Sequence, residues 1–339
     1  MLLRLANNDP ELAISDPERF EFENDRRRMD EFFAVHGYFI IAVDVNSEES
    51  YRIRDKGIYV LGKDFLDDIN SDRKHLNRKE VKGSVQTYIN EAHDRIIMSL
   101  RCIKDLVQEI ENRIYINPYT NHLKRIFEIL GYNVILKKII SEGGLFLKGN
   151  PSKGKPFLII SHDFIDYFME LGIDILKSPE NIGSDPLDSH IDTYLGIINF
   201  KEKIDIKGSE FNGILYIHSD SLKNIQNNLE KKEQWNSLKN EMKMRDYFIK
   251  EYIAKTPAQN IGINFKFDRE NNNLLTNAFP KKEKDFLQML GINVLAPEYN
   301  YSTNDCFSGG INCSYIFIHR NVNLRNKIIN WIKGQKSKN

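Results

Sequence analysis

Cysteine is scarce in this chain, with Cys102, Cys306 and Cys313 the three among 339 residues. Three thiols cannot build a disulfide framework, so a reducing compartment, the cytoplasm, is the expectation. Net charge is absent as well, since 48 Lys and Arg stand against 48 Asp and Glu. A balance of zero weighs against a nucleic-acid protein whose affinity comes from neutralising phosphates. No apolar run approaches the roughly 20 residues that a bilayer-crossing helix needs. The opening Met1-Leu-Leu-Arg-Leu-Ala-Asn-Asn-Asp reaches charge too early for a secretory signal. Neither a nucleic-acid partner nor a membrane is therefore expected. What is present, 41% hydrophobic and 28% charged residues, is the balance of a globular chain with room for one large domain or two ordinary ones.

The organising signal is a unit that recurs four times, in which an amphipathic helical stretch ends in Gly and a β-rich run follows. The copies are Met29–Gly37 then Tyr38–Val43, Leu123–Gly131 then Tyr132–Leu136, Phe168–Gly172 then Ile173–Leu176, and Phe286–Gly291 then Ile292–Leu295. Each Gly stands where a helix takes a left-handed C-cap. The apolar spacing before it (Leu123, Ile126, Phe127, Leu130) is that of a helix with one buried stripe. The runs after it suit buried strands. One such unit cannot bury its own apolar face, so several must pack together in an α/β fold, either an ordinary one or a ring of repeats. Two charged, polar segments break the rhythm, at about 64–114 and 221–253. In the first, Ile96, Leu100, Ile103, Val107 and Ile110 fall at helical spacing. Both read as polar helical insertions, acting as lids or contact surfaces. A basic tail, 331–339, follows.

Chemistry-bearing residues recur after the copies. Arg54-Asp55 follows the first, Ser141-Glu142-Gly143-Gly144 the second, Ser189-His190-Ile191-Asp192-Thr193 the third, and Ser308-Gly309-Gly310-Ile311-Asn312-Cys313-Ser314 the fourth. If the units ring a common axis, one Asp, one Glu, a His–Asp pair and a Cys meet in one pocket. Gly309-Gly310 permits a tight turn that leaves amide N–H groups near the Cys313 sulfur, a setting that lowers a thiol pKa. His-x-Asp-Thr also occurs in zinc peptidases, but the downstream ligands such a site needs do not follow here. A second His-x-Asp, His218-Ser219-Asp220, follows no copy of the repeat and reads as a strand-end histidine. His162-Asp163 reads as a surface turn, and Cys306 as a structural thiol.

Taken in order, these motifs resemble the guanidino-group-modifying superfamily, the five-bladed α/β propellers called penteins, which include arginine deiminases, dimethylarginine hydrolases and amidinotransferases. The family pattern is an early Arg-Asp or Glu-Asp, then Glu-Gly-Gly, His-Leu-Asp-Thr, and a late Gly-Gly-x-x-Cys-Ser/Thr. The matching residues are Arg54-Asp55, Glu142-Gly143-Gly144, His190-Ile191-Asp192-Thr193 and Gly309-Gly310-Ile311-Asn312-Cys313-Ser314. The chain departs from it with Leu145 where many members have Asp, and with Asn312 where many deiminases have His before the Cys. The resemblance implies a single pseudo-symmetric propeller domain over 1–330 carrying the two insertions. It also implies a cysteine-dependent hydrolase of linear amidines that needs neither metal nor cofactor. By the same resemblance Cys313 is the nucleophile and His190 the general acid and base. Asp55 and Asp192 hold the guanidinium, Glu142 faces the substrate nitrogens or His190, and Gly309 and Gly310 shape the turn.

The partner implied is a small guanidine, with an arginine side chain in a protein as the next choice; a homo-oligomer through the insertions is a further expectation. Amidine transfer on the same site remains open at this point, as does a non-catalytic propeller that binds arginine groups. A cysteine peptidase with the order His, Asp, Cys also remains, though it gives no reason for Glu142 or Asp55.

Overall fold

Short β-branched runs and helices closed by left-handed residues alternate along the computed structural model. It describes residues 2–6, 17–44, 51–55, 58–61, 107–110, 113–116, 124–129, 132–136, 144, 146–161, 172–179, 190–297 and 311–317. The chain divides into two compact units, residues 1–140 with 314–339, and residues 141–313. The first unit holds β1 (Leu2–Ala6), β2 (Ile40–Asp44), β3 (Tyr51–Asp55), β4 (Ile58–Leu61), β5 (Val107–Ile110), β6 (Arg113–Ile116) and β7 (Asn133–Leu136). Its helices are Pro17–Val35 and Lys124–Ile129, and the strand Ile316–Phe317 also belongs to it. The second unit holds β8 (Phe146–Gly149), β9 (Phe157–Ser161), β10 (Asp174–Ser178), β11 (Leu195–Ile206), β12 (Ser209–His218), β13 (Tyr247–Tyr252), β14 (Lys266–Asp268), β15 (Asn273–Leu275) and β16 (Asn293–Leu295).

Five small sheets result among the described residues, and each contains the same three-strand order. In β5–β6–β7, β8–β9–β10, β11–β12–β13 and β14–β15–β16 the first pair is antiparallel and the second parallel. In the first sheet, Ile316–Phe317 runs antiparallel to β1 and β1 parallel to β2, with β4 and β3 added beyond. A parallel pair needs a crossover, and among the described residues helices supply it between β1 and β2 (Pro17–Val35), β6 and β7 (Lys124–Ile129), β12 and β13 (Ser219–Gln226 and Leu229–Met244) and β15 and β16 (Lys281–Met289). Three of the four closing glycines adopt the left-handed conformation expected of them, with φ of +88° at Gly37, +68° at Gly172 and +75° at Gly291, while Gly131 lies outside the described residues.

The structure bears on a small part of the first polar segment and on the whole of the second, which is helical over much of its length. Of the first, residues 64–106 and 111–112 lie outside the described residues. Val107–Ile110 and Arg113–Ile116, however, form an antiparallel hairpin and not a helix, with Val107 opposite Ile116 and Ile110 opposite Arg113. Val and Ile suit strands, and here the spacing of Val107 and Ile110 is that of a strand's two ends and not of a helical stripe. The second segment is no insertion. Helices Ser219–Gln226 and Leu229–Met244 are the crossover from β12 to its parallel partner β13. This is a further copy of the repeat, closed by Asp246 at φ +57° where the other copies have Gly. Lys203 Nζ holds the Asp246 carboxylate at 2.7 Å, and a short polar side chain tolerates this conformation better than most.

In the second unit the sheet β11–β12–β13 is buried on both faces. From β12, Leu215 and Ile217 join Trp235, Leu238 and Met242 of the crossover helix, together with Phe157 and Ile159 of β9. Ile214 and Tyr216 face the other way, onto Phe265, Leu274, Phe279 and Leu287. This is the period of two that a strand imposes. In the first unit the buried Arg4 guanidinium grips the Asp30 carboxylate (Nη2 to Oδ2, 2.7 Å), and the Tyr315 hydroxyl donates to Asp30 Oδ1 at 2.9 Å.

Burial of three phenols has a consequence for alkaline stability. Burial raises the pKa of Tyr216, Tyr247 and Tyr252 well above the usual phenol value, with the Glu283 carboxylate adding to the effect at Tyr216 and Tyr252. A raised folded pKa leaves its stabilisation whole below the unfolded value of about 10, then erodes it as pH rises. Three such groups are expected to cost about 4 kcal/mol of stability per pH unit above pH ~10. Urea midpoints measured from pH 9 to 11.5 check this, with phenolate absorbance followed in parallel. Phenolate appearing without unfolding would show the three rings to be wet.

Candidate active site

The third motif forms a tight turn where β11 begins. His190, extended at φ −79° and ψ 99°, precedes the 3-10 turn Ile191–Thr193. Its carbonyl accepts from the Thr193 amide at 3.1 Å and from the Thr193 hydroxyl at 2.6 Å, so the threonine ties the turn to the histidine backbone. Ile191 is fully buried and anchors the turn in the core. Tyr194 pins it to the neighbouring sheet, its hydroxyl 2.9 Å from the Ser178 Oγ. The Tyr194 carbonyl accepts from the His218 amide at 2.8 Å. His190 is half-buried, and Asp192 is 1% exposed.

The Glu-Gly-Gly motif meets this turn through its second glycine. A Cβ at Gly144 would lie 2.7 Å from the His190 Cγ and 2.8 Å from Asp192 Oδ1, and closer still to the His190 Nδ1. Nothing larger than a hydrogen fits there, so the backbone at 144 lies directly against both side chains. Glu142 and Gly143 lie outside the described residues.

The fourth motif arrives through Asn312. Helix Ile311–Ser314 carries Asn312 and Cys313, while Gly309, Gly310 and Cys306 lie outside the described residues. Asn312 donates its side-chain amide to Asp192 Oδ2 at 3.1 Å. The backbone N–H of Asn312 is shared between the side-chain and main-chain oxygens of Asn264, at 3.0 and 3.1 Å. Asn264, itself 4% exposed, donates its side-chain amide to the Asp192 carbonyl at 3.3 Å. Sequence reasoning missed Asn264, which sits in Gly262-Ile-Asn-Phe265 with no motif around it. It saw Asn312 only as a departure from the family pattern. Asp55 ends β3 in the other unit, in register with Ile58.

The second His-x-Asp is accounted for structurally. His218 Nδ1 accepts from the Asp220 amide at 3.3 Å and caps helix Ser219–Gln226, which assigns the proton to Nε2, 3.3 Å from Asn260 Oδ1. Asp220 pairs with Lys223 at 2.9 Å, and that hydrogen bond holds its carboxyl below the usual range. Both partners are exposed, so the pair contributes little. His162-Asp163 lies outside the described residues. Among the described residues no cluster of three or more His, Cys, Asp and Glu is placed to hold a metal, and no helix is long and apolar enough to cross a membrane.

Fold and site together define a mixed α/β protein of small sheets. Its His-x-Asp turn is packed against a glycine and tied through amides to a helix that bears a cysteine. In structure the chain is similar to several solved proteins. One is the N-terminal domain of ArgZ, an arginine dihydrolase of Cyanobacteria, with TM-score 0.40, 12% identity, and 66% of this chain covered against 76% of that one. The whole of ArgZ gives 0.46 at 9% identity, covering 95% of this chain and 39% of the larger one. Unliganded AgrE gives 0.39 at 15%, covering 66% and 31%. No family model matches the sequence, and neither does any curated protein.

Proposed function

We propose that this chain is a cysteine-dependent hydrolase of a guanidino group, in arginine or an arginine derivative. The observation that carries the reading is the meeting of three separated motifs, where Gly144 and Asn312 both lie against the His190–Asp192 turn. The antiparallel-then-parallel trio recurs in all five sheets of the described residues, which supports the repeated unit that the resemblance implies.

A guanidinium is a delocalised cation with a poorly electrophilic carbon, so the site must hold it and supply a strong nucleophile. Planar N–H forks pair with carboxylates. Asp192, buried and oriented by an amide, takes that role. The Cys313 thiolate adds to the guanidinium carbon. The C–N bond breaks as His190 delivers a proton to the departing ammonia or amine, leaving an S-alkylthiouronium on the enzyme. Water then adds to the same carbon while His190 takes its proton. The C–S bond breaks, releasing a ureido product and regenerating the thiolate. Glu142 orients the substrate nitrogens or His190.

The test is a colorimetric assay for ureido product with arginine, agmatine, methylarginines and an arginine peptide. One substrate is expected to turn over, and which one decides between a small-molecule and a protein-directed enzyme. Silence on all four with folded protein rules out hydrolysis of these guanidines. Repeating the panel with an amine acceptor such as glycine then asks for amidine transfer.

A further inference from the structure

Three hydrogen bonds close a ring of three residues. Asn264 donates to the Asp192 carbonyl, Asn312 donates its backbone N–H to Asn264 Oδ1, and Asn312 returns its side-chain amide to Asp192 Oδ2. Asn264 belongs neither to the His-x-Asp turn nor to the cysteine helix. It stands on the loop after helix Pro257–Ile261, where its own N–H is held by the Ile261 carbonyl at 3.0 Å. We infer that Asn264 is a positioning residue that sets the register of the Cys313 helix against the Asp192 carboxylate.

The chemistry of the side chain supports this. An amide offers a donor and an acceptor at opposite corners of one plane, and here both are used, on two different segments. Aspartate would keep the acceptor and lose the donor. Leucine would keep the shape and lose both. Because the Asn312 N–H also reaches the Asn264 main-chain oxygen, the helix keeps a backbone partner when the side chain is removed. What is lost is the orientation of Asn312, and with it the aim of its amide at Asp192. Reacting groups carried on separate segments depend steeply on such alignment.

The inference rests on the proposed reaction for its meaning, but its test does not need the substrate. Alkylation of Cys313 by iodoacetamide, followed at the Cys313 peptide by mass spectrometry, reports the setting of the thiol directly. In Asn264→Ala and Asn312→Ala the rate at pH 7 and its pH profile are expected to differ from wild type by about tenfold, with near-native melting. Asn264→Asp, which retains the acceptor, is expected to fall between. A closed ring also requires non-additivity, so the Asn264→Ala/Asn312→Ala pair is expected to be no worse than either single change. On a guanidine that turns over, the loss is expected in kcat, about 10- to 100-fold, with KM within about threefold. Wild-type alkylation in both single variants overturns the inference, as does a double variant whose effect is the product of the singles. If the wild type turns over no guanidine, the hydrolase reading fails, while the alkylation comparison still decides for or against the ring.

Discussion

Cys313→Ala is expected to lower ureido formation by at least roughly 10³- to 10⁴-fold while leaving the fold intact, because the covalent route has no second nucleophile. Alanine is smaller than cysteine and about as apolar, so the stability cost should stay near 1 kcal/mol. Cys306→Ala is the matched control. That residue lies seven positions earlier in the same stretch, and its removal is expected to leave turnover unchanged. A rapid quench of the wild type should trap the adduct on the peptide that contains Cys313. Turnover that survives Cys313→Ala, or that fails in Cys306→Ala, overturns the assignment of the nucleophile.

Gly144→Ala is the second large effect, and its origin is steric. The added Cβ would fall within 3.0 Å of the His190 ring and of the Asp192 carboxylate. Real Cβ atoms do not approach so closely, so something must move. Asp192 is buried and held by Asn312, which leaves the half-buried His190 ring and the start of β8 to yield. Overpacking of this kind costs about 1–3 kcal/mol. The larger consequence is catalytic, since a proton-transfer group displaced by about 1 Å loses on the order of 10² in rate. Gly172→Ala makes the comparison informative. Nothing lies within 4 Å of a Cβ there, but φ is +68°, so alanine should cost stability of about 1 kcal/mol and no activity. Thermal melts with kcat and KM for both variants separate the two. Full activity in Gly144→Ala would mean that this glycine does not shape the site.

How far the sequence could be read is clearest in the repeat. Gly37, Gly172 and Gly291 were legible because glycine is the residue that takes a left-handed cap without strain, and the strands after them begin within two residues of the start of the runs read from the sequence. The copy between β12 and β13 was not legible. Its cap is Asp246, a residue that a sequence pattern reads as one more surface charge, and its long crossover helices look polar because most of their surface faces solvent. Trp235, Leu238 and Met242 carry the buried stripe almost alone. The hairpin of Val107–Ile110 and Arg113–Ile116 was missed for a different reason, because Val107 and Ile110, three apart, match a helical spacing while sitting at the two ends of a four-residue strand.

The same division holds at the site. The order of Glu-Gly-Gly, His-x-Asp-Thr and Gly-Gly-x-x-Cys was visible because each motif is local, and local spacing is written in neighbouring residues. By itself the sequence determined a repeating α/β chain and the residue types its chemistry draws on. Tertiary structure alone decided that Gly144 lies against His190 and Asp192. It alone decided that Asn312 reaches a carboxylate 120 positions earlier, and that Asn264 reaches 72 positions back to the same turn. Such bonds have no periodicity and no signature in the flanking residues. They exist because packing of the core brings these segments together and strips them of water, so that buried amides must find partners among whatever side chains the fold has placed beside them.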